Sequence, residues 1–562
     1  MLSAGYAFGG PEALRLIAFS NAQAANLSSE EFPAYTMHRA CKLQVQKLSN
    51  SMMKPNESQL LYLQGYWGPA RVLILEEFTM CPAEGYNMGL LRSAYGRARQ
   101  CGRNVDEYLV RGNFWGGIPI VIQLGDPLRR RPVKAVSLLD TKEMLLARIA
   151  AKQNVSIEAQ DAIKVFRQFD IAFELTATKR FKDEWLPKLL LSMRQADSAT
   201  GRLLDRDLWN RLRGQTIPLH GSTASLLSMR AARLREAKFQ CAHTIGQYHQ
   251  TVVRLFYCRA KRDARRLRVP LYWCQAADDV KGLAQPGPKQ PKKQQHQIER
   301  EKQVRRALFR SYNYNETAHL MTLLPAHVGM RVCLAEKVSP QPGLVQEAEG
   351  TIVDIVPDPQ ESLSSADTEV LLKYAPRGFW VLFDKCSNAP LANAVKDLLP
   401  KAFDEAPWTH THTGETEKAQ PGEPPLPPLR QRLVFVGAAQ STFKRELAGT
   451  KWTVTRRQVP LASALDRTVQ SSQGLTFRKG VLADLGCLAG ANRDDHWSSV
   501  YVMLSRATIL DDLLLLRLPD LSFFDQGPPP YLREFLEMLH RAGGPLQEAR
   551  EEGFGLADLL RQ

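Results

Sequence analysis

The stretch RVLILEEF, residues 71–78, sets four apolar residues in a row and closes them with two adjacent acids. A run this short and unbroken reads as a strand buried on both faces, the kind that parallel α/β sheets contain. Its end places Glu76 and Glu77 at the carboxyl edge of the sheet, where open α/β sheets bind ligands. A hard cation shared with phosphate oxygens is a common reason for acids at that edge. Taken alone, the motif fits two solvated acids equally well. Two further runs extend the pattern, ALRLIAF (13–19) and IPIVIQLGD (118–126), while LLRSAYGRARQ (90–100) reads as a helix. A doubly wound domain over residues 1–174 is the economical reading.

The whole chain has 562 residues, 44% of them apolar and 8% aromatic, which excludes global disorder. Lys and Arg number 74 against 58 Asp and Glu, a formal charge of +16 that favours a polyanionic partner, nucleic acid before membrane. Nine scattered cysteines with no C-x-x-C argue against a disulfide framework or a zinc ribbon and for a reducing compartment. No run approaches the roughly 18 apolar residues of a membrane span, and the first residues lack the pattern of a secretory signal. A soluble, intracellular protein is expected.

Residues 175–330 read as the first part of a second doubly wound domain, largely helical to 275 and strongly basic at RAKRDARRLRV (259–269). A Pro-, Gln- and Lys-rich linker at 282–303 follows, with a helix expected to resume near Arg305. A small β insertion is expected over 331–455, from MRVCLAEKV (330–338), GTIVDIV (350–356) and FWVLFD (379–384), interrupted by a linker at 404–429. Residues 456–525 read as the closing part of the second domain, with strands at VLADLG (481–486) and Val500–Leu504. Residues 526–562 form a tail whose start reads as a turn and an amphipathic helix.

Several short segments then fall into a telling order. Thr36-Met37-His38 comes first, then Glu76-Glu77-Phe78-Thr79. Phe114 to Gly125-Asp126 follows and runs on through Pro127 to Val133. Lys179-Arg180-Phe181 is next, then Thr468-Val-Gln-Ser-Ser-Gln-Gly474-Leu-Thr476, and Tyr501-Val-Met-Leu-Ser-Arg-Ala507 closes the set. In this order they resemble the RecD/Pif-like branch of superfamily-one DNA helicases, over nearly the whole chain from Ala18 to Arg517. The resemblance implies two RecA-like domains of the P-loop NTPase type with a small β-barrel inserted in the second, and ATP with Mg²⁺ between the domains. It implies a monomeric motor running 5′→3′ on single-stranded DNA and at DNA junctions, in repair, recombination or telomere and genome maintenance.

The same resemblance assigns roles. Glu76 would hold the metal and Glu77 would orient the attacking water. Arg180 and Arg506 would supply charge to the γ-phosphate. Gly125, Asp126, Arg129, Gln473 and Gly474 would line the nucleotide. Thr36, His38, Pro132, Thr468, Ser472 and Thr476 would lie along the DNA. A nuclear location is preferred, with mitochondria second.

The departures are as specific as the matches. The phosphate loop G-x-x-x-x-G-K-[ST] occurs nowhere in the 562 residues. The chain is expected to be truncated at its start, without the family's first strand, loop and helix, and so to leave two unpaired strand edges. Glu76 replaces an Asp and Arg129 a Gln, while Gln470 and Ser471 replace a His and a Lys. Two readings therefore stand: an ATP-dependent helicase, or a non-hydrolysing nucleic-acid-binding remnant of one, derived from a mobile element. Upstream genomic translation distinguishes them.

Other residues read more plainly. His410 and His412 fit a solvated linker better than a metal site. Tyr257, Tyr272 and Trp273 fit core packing better than base stacking, and Trp115 divides evenly between core and a DNA face. The basic runs at 259–269 and 288–306 fit solvated helix faces as well as DNA contacts. Cys41 and Cys81 read as core fillers.

Overall fold

The computed structural model describes residues 10–20, 23–24, 27–29, 31–43, 54–100, 114–132, 135–153, 155–169, 171–172, 179–217, 232–233, 236–281, 295–310, 312, 314–335, 344, 346–364, 367–384, 433–447, 450–478, 480–487 and 492–542. His410, His412 and the linker at 404–429 lie outside them. The chain forms two compact units, the first comprising Met1–Leu226, Ser472–Arg478 and Leu485–Gln562, the second Leu227–Ser471 and Lys479–Asp484.

The first unit is built on a parallel sheet of β1 (Leu14–Ala18), β2 (Ala34–Thr36), β3 (Val72–Glu76) and β4 (Ile120–Leu124), in the order β2-β1-β3-β4. β1 is buried throughout, and β3 is buried until Glu76, which is only half-buried. That profile is why both strands read as unbroken apolar runs. Among the described residues the strands pair continuously from β2 through β1 and β3 to β4. β4 is its outer strand among the described residues, and Ile122 there is 40% exposed. Helix Glu57–Trp67 begins in a reciprocal capping box between Asn56 and Gln59. It packs on helix Ala83–Gln100 at Gly96, where a Cβ would collide with the Leu63 carbonyl.

One expected strand is a helix. Val500–Leu504 belongs to helix Arg493–Leu504, in which every residue from His496 onward is buried. A helix buried on all sides loses its amphipathic period, so its apolar run imitates a buried strand. Asn492 caps it, its side chain accepting from the backbone N–H groups of Asp494 and Asp495 at 2.8 and 3.1 Å. Helix Pro530–Ala542 follows Gly527 and two prolines, and Phe535 stacks on Phe166.

The second unit mixes sheet types. β5 (His243–Gly246), β17 (Asp466–Thr468) and β18 (Val481–Asp484) are parallel, in the order β17-β5-β18, beside helix His249–Leu267. An antiparallel sheet is formed by β13 (Leu433–Gly437), β12 (Gly378–Phe383), β10 (Glu349–Val356), β9 (Arg331–Leu334) and β16 (Leu461–Ser463). β6 (Leu271–Gln275) lies between β11 (Glu369–Leu372) and β8 (Leu323–Ala326). β15 (Thr450–Gln458) lies between β14 (Ala439–Leu447) and β7 (Ala277–Val280). The basic helix starts at Gln295 and runs to Phe309, ten residues before the expected Arg305. Val304 and Leu308 pack there on Val280 and Val454, so tertiary burial fixes a helix in a segment of polar composition.

Candidate functional site

The site forms in the first unit, where β3 and β4 end. Glu77 follows β3 with φ 57° and opens the 3-10 turn Phe78–Met80. A non-glycine residue in left-handed backbone carries strain, and such strain collects where geometry serves a ligand. The turn buries Glu77 to 4% exposure, and its carboxylate forms an ion pair with Arg129. Its other oxygen, Oε2, is buried without a hydrogen-bond partner among the described residues.

Arg129 is placed by its own loop. After β4, Asp126 accepts from the backbone N–H of Leu128 at 3.1 Å, and the Arg129 N–H donates to the Asp126 carbonyl at 3.1 Å. This short turn aims Arg129 back toward the β3 acids. Gly125 is needed at the start of the turn because a Cβ would strike the Phe78 ring at 2.8 Å. Burial, followed by the Arg180 charge, pulls the Arg129 guanidinium down to about 10. Glu76 moves the other way: burial raises its carboxyl, and Arg129 only partly opposes this.

Arg180 and Arg506 complete the cluster. Arg180 donates to the Ser505 carbonyl at 3.1 Å and lies within electrostatic reach of Asp126 and Tyr501. Arg506 has 0% exposure. Its Nε donates to the Val502 carbonyl at 3.0 Å, and its Nη1 to the Leu475 and Ser472 carbonyls at 2.8 and 3.3 Å. Its Nη2 donates to Ser505 Oγ at 2.6 Å. Burial first, then the charges of Arg129 and Arg180, hold its pKa well below the usual guanidinium range. Arg506 is therefore no surface cation. Arg506 is a buried clamp on the loop that carries the Ser472-Gln473-Gly474 motif.

That loop belongs to the same unit. Gly474 has φ 78° and packs against Gln23, while Gln473 donates from Nε2 to the Arg130 carbonyl at 3.5 Å. Ser472 and Pro132 are buried and Thr476 is exposed. Thr468 is in the second unit, where its Oγ1 accepts from the Ser471 N–H at 3.3 Å. Thr36 ends β2 and caps the turn Met37–Ala40, and His38 is exposed. Neither makes a hydrogen bond or ion pair with the arginine cluster among the described residues.

Two members were not singled out from the sequence. Tyr501 is buried and bonded to Asp126, although it opens a motif read for its arginine. Arg131 pairs with the buried Asp140 at 3.1 Å and with Asp495 at 3.3 Å, and its guanidinium lies over the Tyr531 ring. Its position in the run Arg129-Arg130-Arg131 was the available signal. Trp115 is buried and edge-on to Tyr86, which settles it as core. The Tyr257 hydroxyl donates to the Leu323 carbonyl at 2.9 Å and Trp273 Nε1 to Glu369 at 2.9 Å, so both are packing residues of the second unit. Tyr272 packs partly buried on the same core, while Cys41 and Cys81 are fully buried.

The donor set does not fit ATP–Mg²⁺ as the family resemblance implies it. The carboxylate expected to face water is neutralised by a resident arginine, and Glu76 is displaced toward its protonated form.

No family model matches the chain, and no curated protein matches it. Solved structures do. The Pif1 helicase from Candida albicans aligns over 96% of this chain and 91% of its own, at 18% identity and TM-score 0.51. Bacteroides Pif1 bound to ssDNA aligns over 95% and 88%, at 14% identity and TM-score 0.49. The mixed α/β fold with parallel sheets is thus similar to that of a Pif1 helicase.

Proposed function

We propose that this chain binds single-stranded nucleic acid on a helicase-type fold and does not hydrolyse ATP at the rate of a motor. The observation that carries this reading is the buried Arg129–Glu77 pair. Phosphoryl transfer depends on positioning and on fixed charge around the phosphates. Here the acid expected to orient water already has a cation, and that cation stands where the family has a neutral Gln. The formal charge of +16, with Thr36 at the end of β2 and His38 exposed in the turn that follows, supports the nucleic-acid half of the reading.

A second reading, an ATP-driven 5′→3′ DNA helicase in repair, recombination or genome maintenance, draws on the gathering of Glu76, Asp126, Arg180 and Arg506 in one place. DNA-stimulated phosphate release from the purified chain separates the two. Turnover on the order of 1 s⁻¹ or faster overturns the first and supports the second. Binding is read by anisotropy of labelled oligo-dT against salt. Log affinity is expected to fall with log salt by roughly 0.7 per phosphate contact, and a flat dependence contradicts binding through phosphates. A monomeric state and a nuclear location belong to the same proposal; light scattering and imaging of a tagged chain test them.

A further inference from the structure

Within the first unit, the tail helix Pro530–Ala542 makes two contacts one turn apart, and each leads to one partner of the Arg129–Glu77 pair. Tyr531 and Phe535 stand at i and i+4, on one face of the helix. Tyr531 is buried, and the Arg131 guanidinium lies over its ring at 4.8 Å. Arg131 is also held by Asp140 at 3.1 Å and Asp495 at 3.3 Å, and it stands two residues beyond Arg129. Phe535 stacks on Phe166, centroids 6.0 Å apart and planes at 17°. Phe166 in turn lies 5.3 Å from the Phe78 ring. Phe78 follows Glu77 directly, and its ring closes on Gly125 at the start of the Arg129 turn.

The pair needs support from outside. Glu77 sits in left-handed backbone, and its Oε2 is buried without a hydrogen-bond partner among the described residues. Arg129 Nε is buried and unpartnered in the same way. Backbone strain and unmade hydrogen bonds both oppose this arrangement, so it persists only where the surroundings fix both backbones. On the Glu77 side those surroundings are the rings of Phe78 and Phe166. On the Arg129 side they are Arg131 and its acids. The tail helix touches both sides, and Arg533 seats it by an ion pair with Asp197. A helix that only covered apolar surface would bring apolar contacts alone. Here Tyr531 instead meets a cation that already has two carboxylates, and its ring holds that guanidinium in plane by cation–π attraction.

We propose that the tail helix is an autoinhibitory strap that keeps Glu77 neutralised. Tyr531 fixes the turn that carries Arg129, Phe535 fixes the turn that carries Glu77, and lifting the helix lets the two side chains part. The freed carboxylate is the one that the family resemblance assigns to water. This inference rests on the Arg129–Glu77 pairing that carries the proposed function and names what enforces that pairing.

The test measures the coupling of Arg129→Leu with Glu77→Leu by urea unfolding of the full chain, and repeats it in Tyr531→Leu, Phe535→Ala and Tyr531→Phe backgrounds. In the parent, the coupling is expected to change the folding constant about two- to 150-fold. Tyr531→Leu and Phe535→Ala are each expected to abolish most of it. Tyr531→Phe keeps the ring under Arg131 and should leave the coupling as in the parent. A helix that only adds stability lowers every midpoint and leaves the coupling intact, and that result overturns the strap. Hydrogen exchange reads the same release locally. The amides of Met80 and Arg129 donate to the Glu77 and Asp126 carbonyls at 3.0 and 3.1 Å. Both should exchange faster in Tyr531→Leu and Phe535→Ala, while those of β1 do not. Unchanged exchange at both amides also overturns the strap. If the parent shows no coupling, the pair itself falls, and with it both the strap and the observation behind the proposed function. Should Phe535→Ala not fold, Tyr531→Leu against Tyr531→Phe decides the matter.

Discussion

Each unit buries arginines, but it satisfies them differently. In the second unit every buried arginine named here has a dedicated carboxylate. Arg456 grips Asp278 through two bonds of 2.6 and 2.7 Å, Arg259 holds both oxygens of Asp466 at 3.1 Å, and Arg467 bonds Glu349 at 2.5 Å. Burial opposes the charge on Arg467, yet Cys333, Glu347 and Glu349 hold its pKa above the usual value. In the first unit Arg506 has backbone carbonyls and a serine hydroxyl as partners and two other arginines as neighbours, and its pKa falls. Matched pairs fasten one strand to another. A cluster of mutually repelling cations stores electrostatic cost, which is tolerated where a polyanion or a moving loop makes use of it.

The contrast can be broken by substitution. Arg456→Met leaves Asp278 without its partner and is expected to cost about 3–5 kcal/mol, read from urea unfolding. Arg506→Met strands no carboxylate; it loses hydrogen bonds to carbonyls and is expected to cost about 1–3 kcal/mol. Equal costs, or the reverse order, would end the distinction between the two kinds of arginine.

The Arg129–Glu77 pair, which like Arg131–Asp140 is matched, sharpens it. In a double-variant cycle of Arg129→Leu and Glu77→Leu, the coupling is expected at about 0.5–3 kcal/mol, with the double variant more stable than Arg129→Leu alone. Additive losses would show that Arg129 and Glu77 do not act as a pair.

Acid should affect both units alike. Burial lowers the pKa of His496 in the first unit, with Arg130 adding to the effect, and of His327 in the second, where Arg266 also lowers it and Asp263 and the Val328 carbonyl oppose. Their unfolded value is about 6.5. A depressed histidine takes up its proton more readily when unfolded. Its contribution is therefore complete above about pH 6.5 and is lost as pH falls through the folded value, at up to about 1.4 kcal/mol per pH unit for each group. Urea midpoints should drop between pH 7.5 and 5.5, and His327→Gln or His496→Gln should flatten the slope. An unchanged slope in both variants assigns the acid sensitivity elsewhere.

The smallest effect is chemical. Burial pushes the thiols of Cys41 and Cys333 up to about 12, whereas Cys258 and Cys487 are exposed. At pH 8, a thiol reagent should label Cys258 and Cys487 in the native chain and reach Cys41 and Cys333 only on unfolding. Mass mapping of the labelled peptides checks this, and early labelling of Cys41 or Cys333 would show that the local core opens.

Local pattern carried a definite part of this. VLILE announced a parallel strand because a strand covered on both faces is largely apolar, and the acids at residues 76 and 77 follow from where that run stops; LRLIA and IVIQL share the pattern apart from Arg15 and Gln123, although IVIQL forms the half-exposed outer strand. The tail helix was legible from Pro530 and its amphipathic period, and the β9, β10 and β12 strands from their turns. Composition determined the basic charge, and the missing phosphate-loop string is a fact of sequence alone. Tertiary structure decided what one-dimensional patterns cannot carry. Val500–Leu504 became helix because a fully buried helix and a buried strand share one composition. Gln295 began a helix because Val280 and Val454, far away in sequence, bury Val304 and Leu308. Arg506 became a buried clamp, Arg129 found Glu77, and Tyr66 came to stand beside Tyr35. These pairings join residues dozens to hundreds of positions apart, and electrostatics and packing depend on distance in space.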